Sequence, residues 1–234
     1  MKKFTQLESF SFRMKNEDFV TAFIHDLPQN LLLLKHVSLG FSTYLKFNSP
    51  DQPKLHMNSV LEWLISLPNL EEFQIKHYSF DYCHCAHLQG YQSSQKLRIM
   101  KIIETSKLSA DEAEYTQEDL EAILSVIMNK NIEELEIPIH LEGFKQNAFD
   151  LFSEKLLQLS KLRTLKLTLW FNILDSKTIV KIQKLLADLY YVEEKVVKIK
   201  FFRKMDKDCE SLIQEITSKK HQYSYSLDFL QFRR

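Results

Sequence analysis

Apolar and polar residues alternate along this chain in a short pattern that recurs many times. Each copy has apolar residues at its first, fourth and sixth positions, as in Leu162, Leu165 and Leu167. The copies lie about 31 residues apart, a period typical of repeat architectures, in which each unit buries its apolar face only by stacking on its neighbours. Eight copies are recognisable, and they begin at Leu7, Leu34, Leu70, Leu97, Ile132, Leu162, Val196 and Leu227.

Each copy predicts a strand, and most copies predict a helix after it. The alternation over residues 162–169 is typical of a strand with one buried face. Further along each unit, the apolar residues take the spacing that places them on one side of a helix. Thr116 and Asp119 have the spacing of a capping box, and Asp175 is a candidate N-cap for a later helix. Five helical stripes are recognisable, and they begin at Met57, Leu120, Phe149, Ile179 and Cys209.

The polar positions of the strands predict that helices cover only one side of the sheet. A doubly wound α/β sheet has helices on both sides, so its strands are apolar on both faces. Here the second face is polar, with Ser38, Gln74, Glu136 and Lys166 among its residues. We therefore expect an α/β solenoid, with parallel strands on the concave face and helices on the convex face.

With this unit, the chain resembles the leucine-rich-repeat family in its longer, helix-containing form, which is similar to ribonuclease inhibitor. The resemblance is clearest at residues 70–75 and 162–172, where Asn172 matches the asparagine that follows the family's strand. The divergent copies look like repeats that are abundant in ciliates. The resemblance implies one leucine-rich-repeat domain over residues 1–234, with about eight irregular repeats and with loop insertions at about 78–95 and 105–116.

Composition excludes some classes of function and narrows the compartment. Only three glycines are present, too few for the glycine-rich loops that bind phosphate in nucleotide enzymes. The three cysteines do not make a disulfide framework, which indicates a reducing compartment. No apolar stretch is long enough to span a membrane. We expect an intracellular, cytoplasmic protein. The lysine-rich first residues leave a mitochondrial location open, and a ciliary location also stays open.

One segment offers a weak metal site, and no segment offers a catalytic one. Cys83, Cys85 and His87 carry side chains that bind zinc, but their spacing is poor for a structural zinc site and a fourth ligand is missing. The eight histidines are not accompanied by any motif of a hydrolase, metalloprotease or nucleotide-binding enzyme. The sequence therefore predicts a protein that is not an enzyme and has no cofactor.

The concave face is the predicted binding surface. Its polar and basic character, with an interleaved aromatic residue, suits a protein or peptide better than a bare phosphate backbone. We expect Lys166 and Lys200 to lie in one central column across the strands. The predicted partner-binding residues are Gln74, Lys76, Lys101, Glu136, Lys166, Lys198, Lys200 and Phe202.

Two functions remain open from the sequence. The favoured one is a non-enzymatic protein–protein interaction module, a scaffold or accessory subunit of a larger intracellular complex. The alternative is a subunit associated with RNA or nucleoprotein, because residues 195–234 hold ten basic and five acidic residues. Affinity for nucleic acid would fall steeply with salt, whereas docking to a protein would depend on salt less.

Overall fold

The structure is a computed structural model, which describes residues 6–14, 31–41, 55–77, 80–82, 84–104, 116–140, 148–171, 173–201, 207–219 and 223–231. From Ile99 onward, strands and α-helices alternate strictly through these residues. The strands are β1 Ser9–Met14, β2 His36–Phe41, β3 Leu55–His56, β4 Glu72–His77, β5 Phe80–Asp81, β6 Ile99–Glu104, β7 Glu134–His140, β8 Thr164–Phe171, β9 Glu194–Phe201 and β10 Ser226–Gln231. The helices are α1 Met57–Ile65, α2 Gln117–Ile127, α3 Ala148–Leu157, α4 Ser176–Asp188 and α5 Lys207–Ser218.

Eight of the strands form one parallel sheet in the order in which they occur along the chain. The order is β1-β2-β4-β6-β7-β8-β9-β10, while the short strands β3 and β5 pair with each other. Every neighbouring pair in the large sheet is parallel. After each strand, the chain therefore returns to the edge of the sheet at which all of its strands begin. The predicted α/β architecture with parallel strands is confirmed.

Helices pack on one face of this sheet. In β8, Leu165, Leu167 and Leu169 are buried, whereas Thr164, Lys166 and Thr168 between them are partly exposed. The buried strand residues and the buried helix residues, such as Phe152 of α3, belong to one hydrophobic cluster that runs from Leu31 to Leu227. The five helical stripes predicted from the sequence fall on α1 to α5, and their buried members face this cluster.

Successive units are joined by the same backbone contacts at the start of each strand. In β8, for example, the amides of Arg163 and Thr164 both donate to the carbonyl oxygen of Glu133, at 2.8 and 3.0 Å. The same pair of contacts joins the units from β1 to β9. The acceptor carbonyls belong to Glu8, Lys35, Glu71, Arg98, Glu133 and Arg163.

The residues at these joints alternate in charge from β1 to β9. Acidic residues precede β1, β4, β7 and β9, and basic residues precede β2, β6 and β8. The side chains at this edge also bond across the joints. Lys35 Nζ lies 2.9 Å from a carboxylate oxygen of Glu8, and Arg98 Nη2 lies 3.4 Å from one of Glu71. The charge at the joints therefore repeats every two units, whereas the backbone contacts repeat in every unit.

The last two copies of the pattern have a different register from the predicted one. Val197 lies opposite Leu167, so the copy predicted to begin at Val196 is displaced by four residues. The prediction was wrong because Lys195 occupies the core position opposite Leu165. Lys195 is only 4% exposed, and its ammonium donates to the carbonyl oxygen of Leu189 at 3.0 Å.

The predicted loop insertion at 78–95 is not a simple loop. Its described part contains β5, a 3₁₀ helix at Ala86–Leu88, and the buried side chains of Phe80 and Cys85. These residues fill the space between α1 and α2 in a unit that has no α-helix of its own in the described residues. Most of the second predicted insertion, at 105–116, lies outside the residues that the structure describes.

The capping box at the start of α2 is confirmed, and it also anchors the neighbouring unit. Thr116 Oγ1 accepts a hydrogen bond from the Asp119 amide, and the Asp119 carboxylate accepts one from the Thr116 amide, both at 3.1 Å. The same carboxylate accepts from the amides of Cys85, at 2.6 Å, and Ala86, at 2.9 Å. Asp175 likewise caps α4. Burial alone would raise the pKa of Asp119, but these hydrogen bonds outweigh it and lower the pKa.

Replacing Asp119 by alanine should lower the free energy of unfolding by about 2–4 kcal/mol, because several amides and a hydroxyl lose their acceptor. Glu118→Ala, at an exposed position on the same turn, is the matched control and should have little effect. The lowered pKa means that this stabilisation is complete above about pH 4 and is lost as the pH falls further. Urea unfolding from pH 7 to pH 3 tests it. An equal difference at both ends of that range would contradict the role of the ionised carboxylate.

Replacing Lys195 by methionine should raise the free energy of unfolding at pH 7 by about 1–2 kcal/mol, because a buried ammonium is exchanged for an apolar group of similar length. Burial lowers the pKa of Lys195. The unfolded chain therefore binds more protons at alkaline pH, and the native protein gains stability as the pH rises through the folded pKa. The advantage of Lys195→Met over the wild type should shrink toward pH 10. Lys198→Met, on the exposed side of β9, is the control, and a less stable Lys195→Met variant would contradict this expectation.

Candidate functional site

The candidate site is the face of the large sheet that the helices do not cover, which we call the open face. Three rows of side chains cross it from strand to strand. The first row is Ser9, His36, Glu72, Ile99, Glu134, Thr164 and Glu194. The second row is Ser11, Ser38, Gln74, Lys101, Glu136, Lys166, Val196 and Ser226. The third row includes Gly40, Lys76, Thr168, Lys198 and Asp228.

The structure places seven of the eight predicted binding residues on this side of the sheet. Gln74, Lys101, Glu136 and Lys166 lie in the second row, and Lys76 and Lys198 lie in the third. Lys200 lies opposite Trp170, beyond the third row. The position beside Lys166, which was predicted for Lys200, is occupied by Val196. Phe202 lies outside the described residues.

Two of the predicted lysines are already occupied within the sheet. Lys101 Nζ lies 2.9 Å from a carboxylate oxygen of Glu134, and Lys166 Nζ lies 3.3 Å from one of Glu194. Each pair joins a basic residue to an acidic residue of the next strand. A partner would have to displace these carboxylates to reach the ammonium groups, so Lys101 and Lys166 are poorer anchors than the sequence predicted.

Three other charged residues of the open face make no ion pair within the described part of the chain: Lys76, Glu136 and Lys198. Lys76 and Lys198 are exposed, on β4 and β9. Glu136 lies between Lys101 and Lys166 in register, but both lysines bond other carboxylates. These three side chains keep their charges available to a partner.

The open face is recessed where its side chains are small. Ser9, Ser11 and Ser38 lie at one end of the sheet, and their short side chains leave a hollow of about 140 Å³. Gln74 and Lys101 also line it, together with His36 and Glu72. A hollow of this size holds a single side chain and not a whole small molecule.

A proline interrupts the sheet between β6 and β7. The pairing of these strands stops at Lys101 and Glu136, two residues before Pro138. Proline has no amide hydrogen, so it cannot continue a ladder of backbone hydrogen bonds. The hydroxyl of Tyr82 donates to the carbonyl oxygen of Pro138 at 3.1 Å, from a segment that follows β5.

Side chains close the gap that the proline leaves, and we call them the edge cluster: Tyr82, Glu104, His140, Trp170 and Lys200. Glu104 and His140 are bonded at 2.8 Å between Oε2 and Nε2, and their side chains are 0% and 3% exposed. The second oxygen of Glu104 accepts from the Phe80 amide at 3.2 Å. The pair thus joins β6 to β7 where the backbone ladder has ended.

Aromatic rings continue the edge cluster across the next strands. The rings of Tyr82 and His140 have centroids 4.9 Å apart, and His140 stacks on Trp170 at 5.6 Å. Lys200 Nζ lies 4.1 Å from the centre of the Trp170 ring. Burial lowers the pKa of Lys200, and the Glu104 carboxylate opposes that shift in part. Lys200 is therefore a structural contact of Trp170 rather than an exposed anchor.

Sequence reasoning missed this cluster. Its first and last members, Tyr82 and Lys200, are more than a hundred residues apart in the sequence. Only the register of the strands brings them together. One signal was present. A proline inside an alternating strand pattern indicates a break in the ladder, and Pro138 sits in such a pattern. Polar groups near that break must then be satisfied by side chains.

The weak metal candidate is not assembled in the part of the chain that the structure describes. Cys85 is fully buried against the core, whereas His87 is exposed and lies 2.9 Å from a carboxylate oxygen of Glu62. Cys83 lies outside the described residues. Among those that are described, no group of three or more histidines, cysteines and acidic residues is arranged to hold a metal ion.

Comparison with known proteins gives no relative. No family model, no curated protein and no solved structure matches the chain. Of the helices in the described ranges, none has both the length and the apolar character that crossing a membrane requires.

Replacing Tyr82 by phenylalanine should lower the free energy of unfolding by about 1–2 kcal/mol, because the buried carbonyl of Pro138 loses the hydroxyl that donates to it. The variant keeps the ring contact with His140, so the loss of stability measures the contribution of the hydrogen bond. Tyr91→Phe, at an exposed position in a loop, is the matched control and should change stability little. Urea unfolding followed by circular dichroism measures both variants. Equal stability of the two would show that the hydroxyl does not close the gap.

Proposed function

We propose that this chain is a divergent leucine-rich-repeat protein that binds a protein partner through its open face. It would act without catalysis, as a scaffold or accessory subunit of a larger intracellular complex. The observation that carries the proposal is the asymmetry of the sheet: eight parallel strands have helices on one face and a polar, mixed-charge surface on the other.

The repeated backbone geometry supports the leucine-rich-repeat proposal. Before six of the strands, a turn closes with an amide bonded to the carbonyl three residues earlier, as from Leu162 to Leu159 at 3.1 Å. Two amides then donate to the carbonyl of the preceding unit. Two buried apolar residues follow on nearly every strand, such as Phe73 and Ile75 on β4. A unit that repeats in backbone contacts as well as in sequence is what a tandem array requires.

The chemistry of the open face supports a protein partner. Lys76 and Lys198 present separate positive charges, Glu136 presents a negative one between them, and the serine hollow accepts a side chain. Mixed charge with small recesses is typical of protein interfaces, in which charge sets specificity and association rate. His36, Lys101 and Lys166 instead lie against the carboxylates of Glu72, Glu134 and Glu194 on neighbouring strands.

The alternative of a nucleic-acid partner has less support from the described residues. Lys200 is held over Trp170, and Arg203 and Lys204, which belong to the same basic segment, lie outside the described residues. On the open face, the carboxylates of Glu134 and Glu194 engage Lys101 and Lys166, which leaves fewer cations for a phosphate backbone.

The double variant Lys76→Glu/Lys198→Glu should weaken capture of the partner strongly. We expect at least about a tenfold loss of bound partner, because two charges are reversed on the proposed interface. The variant should fold normally, since both side chains are exposed. The measurement is quantitative mass spectrometry of proteins that copurify with the tagged chain from its native source, with nuclease present, at low and high salt.

The matched control is Lys177→Glu/Lys184→Glu, which reverses two exposed lysines of α4 on the opposite side of the sheet. It should leave capture unchanged. If the α4 variant loses the partner and the open-face variant keeps it, the interface lies on the helices. Copurification that nuclease removes would favour the nucleoprotein alternative.

A further inference from the structure

A cleft on the helix side of the sheet has the features of a small-molecule site. It lies between the C-terminal ends of α2 and α3, and the loop that contains Gln92 and Gln95 borders it. Its volume is about 390 Å³, which is within the range of pockets that enclose small ligands. The apolar side chains of Leu124 and Leu159 form part of its lining. All the segments around it belong to the described part of the chain.

The cleft is lined by positive charge without a counter-charge. Lys130 and Lys155 both line it, and none of the lining residues is acidic. Neither lysine makes an ion pair with any residue that the structure describes.

Other lysines on the same edge of the fold are occupied. Lys96 Nζ donates to the side-chain oxygen of Asn69 at 2.6 Å, and Lys161 Nζ donates to that of Asn131 at 2.8 Å. Lys130 and Lys155 are thus distinguished from their neighbours by having no partner of this kind.

Polar donors add to the two lysines. The side chains of Ser125 and Gln158 line the cleft and make no side-chain hydrogen bond among the described residues. Gln92 uses its side-chain oxygen to accept from Gln95 at 3.0 Å, which leaves the amide hydrogens of Gln92 for another acceptor. Asn129, by contrast, is fully bonded to Ser93, Ser94 and Asn131, so it fixes one wall. The cleft therefore offers two ammonium groups and further donors to an anion, and no carboxylate among its lining residues.

We propose that this cleft binds a small organic anion, whose phosphate or carboxylate oxygens bridge Lys130 and Lys155 and accept hydrogen bonds from Ser125 and Gln158. Such charge-assisted hydrogen bonds are the strong ones in protein sites. The site is independent of the proposed function, because it lies on the opposite side of the sheet from the open face. Lys155 also lies in the last turn of α3, where a cation is favourable without a ligand. The test must therefore measure binding, not stability.

The experiment is isothermal titration calorimetry of the full chain at low ionic strength, where screening of charges is weak. Inorganic phosphate is the first probe, and glycerol 3-phosphate and succinate separate a phosphate site from a carboxylate site. We expect saturable binding of one anion per chain. The double variant Lys130→Gln/Lys155→Gln should weaken it at least about tenfold, because two charge-assisted contacts are lost.

Lys96→Gln/Lys161→Gln is the matched control, since it removes two lysines from the same edge that do not line the cleft. It should retain the wild-type affinity. The proposal is overturned if none of the three anions binds saturably. It is equally overturned if the cleft variant binds as tightly as the wild type, or if the control variant loses as much affinity as the cleft variant.

Discussion

The joint at which two successive amides share one carbonyl oxygen of the preceding unit holds this array together. It recurs from β1 to β9 and places the first residues of these seven strands of the large sheet in register with one another. Since side chains alternate strictly along a strand, fixing that first residue decides which side chains face the helices and which face outward. The core, the open face and the edge cluster all follow from it. The charges of Glu71, Arg98 and their counterparts sit at this joint, so the side chains favour the same register as the backbone.

The ion pairs of the open face connect neighbouring strands of the sheet, so they do not offer free charges to a partner. Lys101 and Lys166 each bond a carboxylate of the next strand. Exposed pairs of this kind contribute little individually, about 0–1 kcal/mol each. Their larger effect is on recognition, because a lysine that is already in an ion pair must lose that pair before it can bond a partner. The same reasoning distinguishes Lys96 and Lys161, which bond asparagine side chains, from Lys130 and Lys155 of the cleft.

The amino-acid pattern is sufficient to predict the architecture but not every register or contact. The first six copies, the five helices and the caps at Thr116 and Asp175 follow from local periodicity, and the structure confirms them. The seventh copy was misplaced because a lysine fills a core position, which no apolar pattern reveals. The edge cluster and the cleft depend on residues that only folding brings together. Local sequence carries no information on those distances.

The alternation of acidic and basic joints has a consequence for how such an array can change in length. Glu8, Glu71, Glu133 and Glu193 recur at intervals of 63, 62 and 60 residues, with a basic joint between each pair. Deleting or duplicating one unit would bring two like charges together at a new joint, whereas deleting or duplicating two adjacent units would not. A segment of two strands is therefore the increment that preserves the alternation, and an engineered extension should be spliced in the same increments.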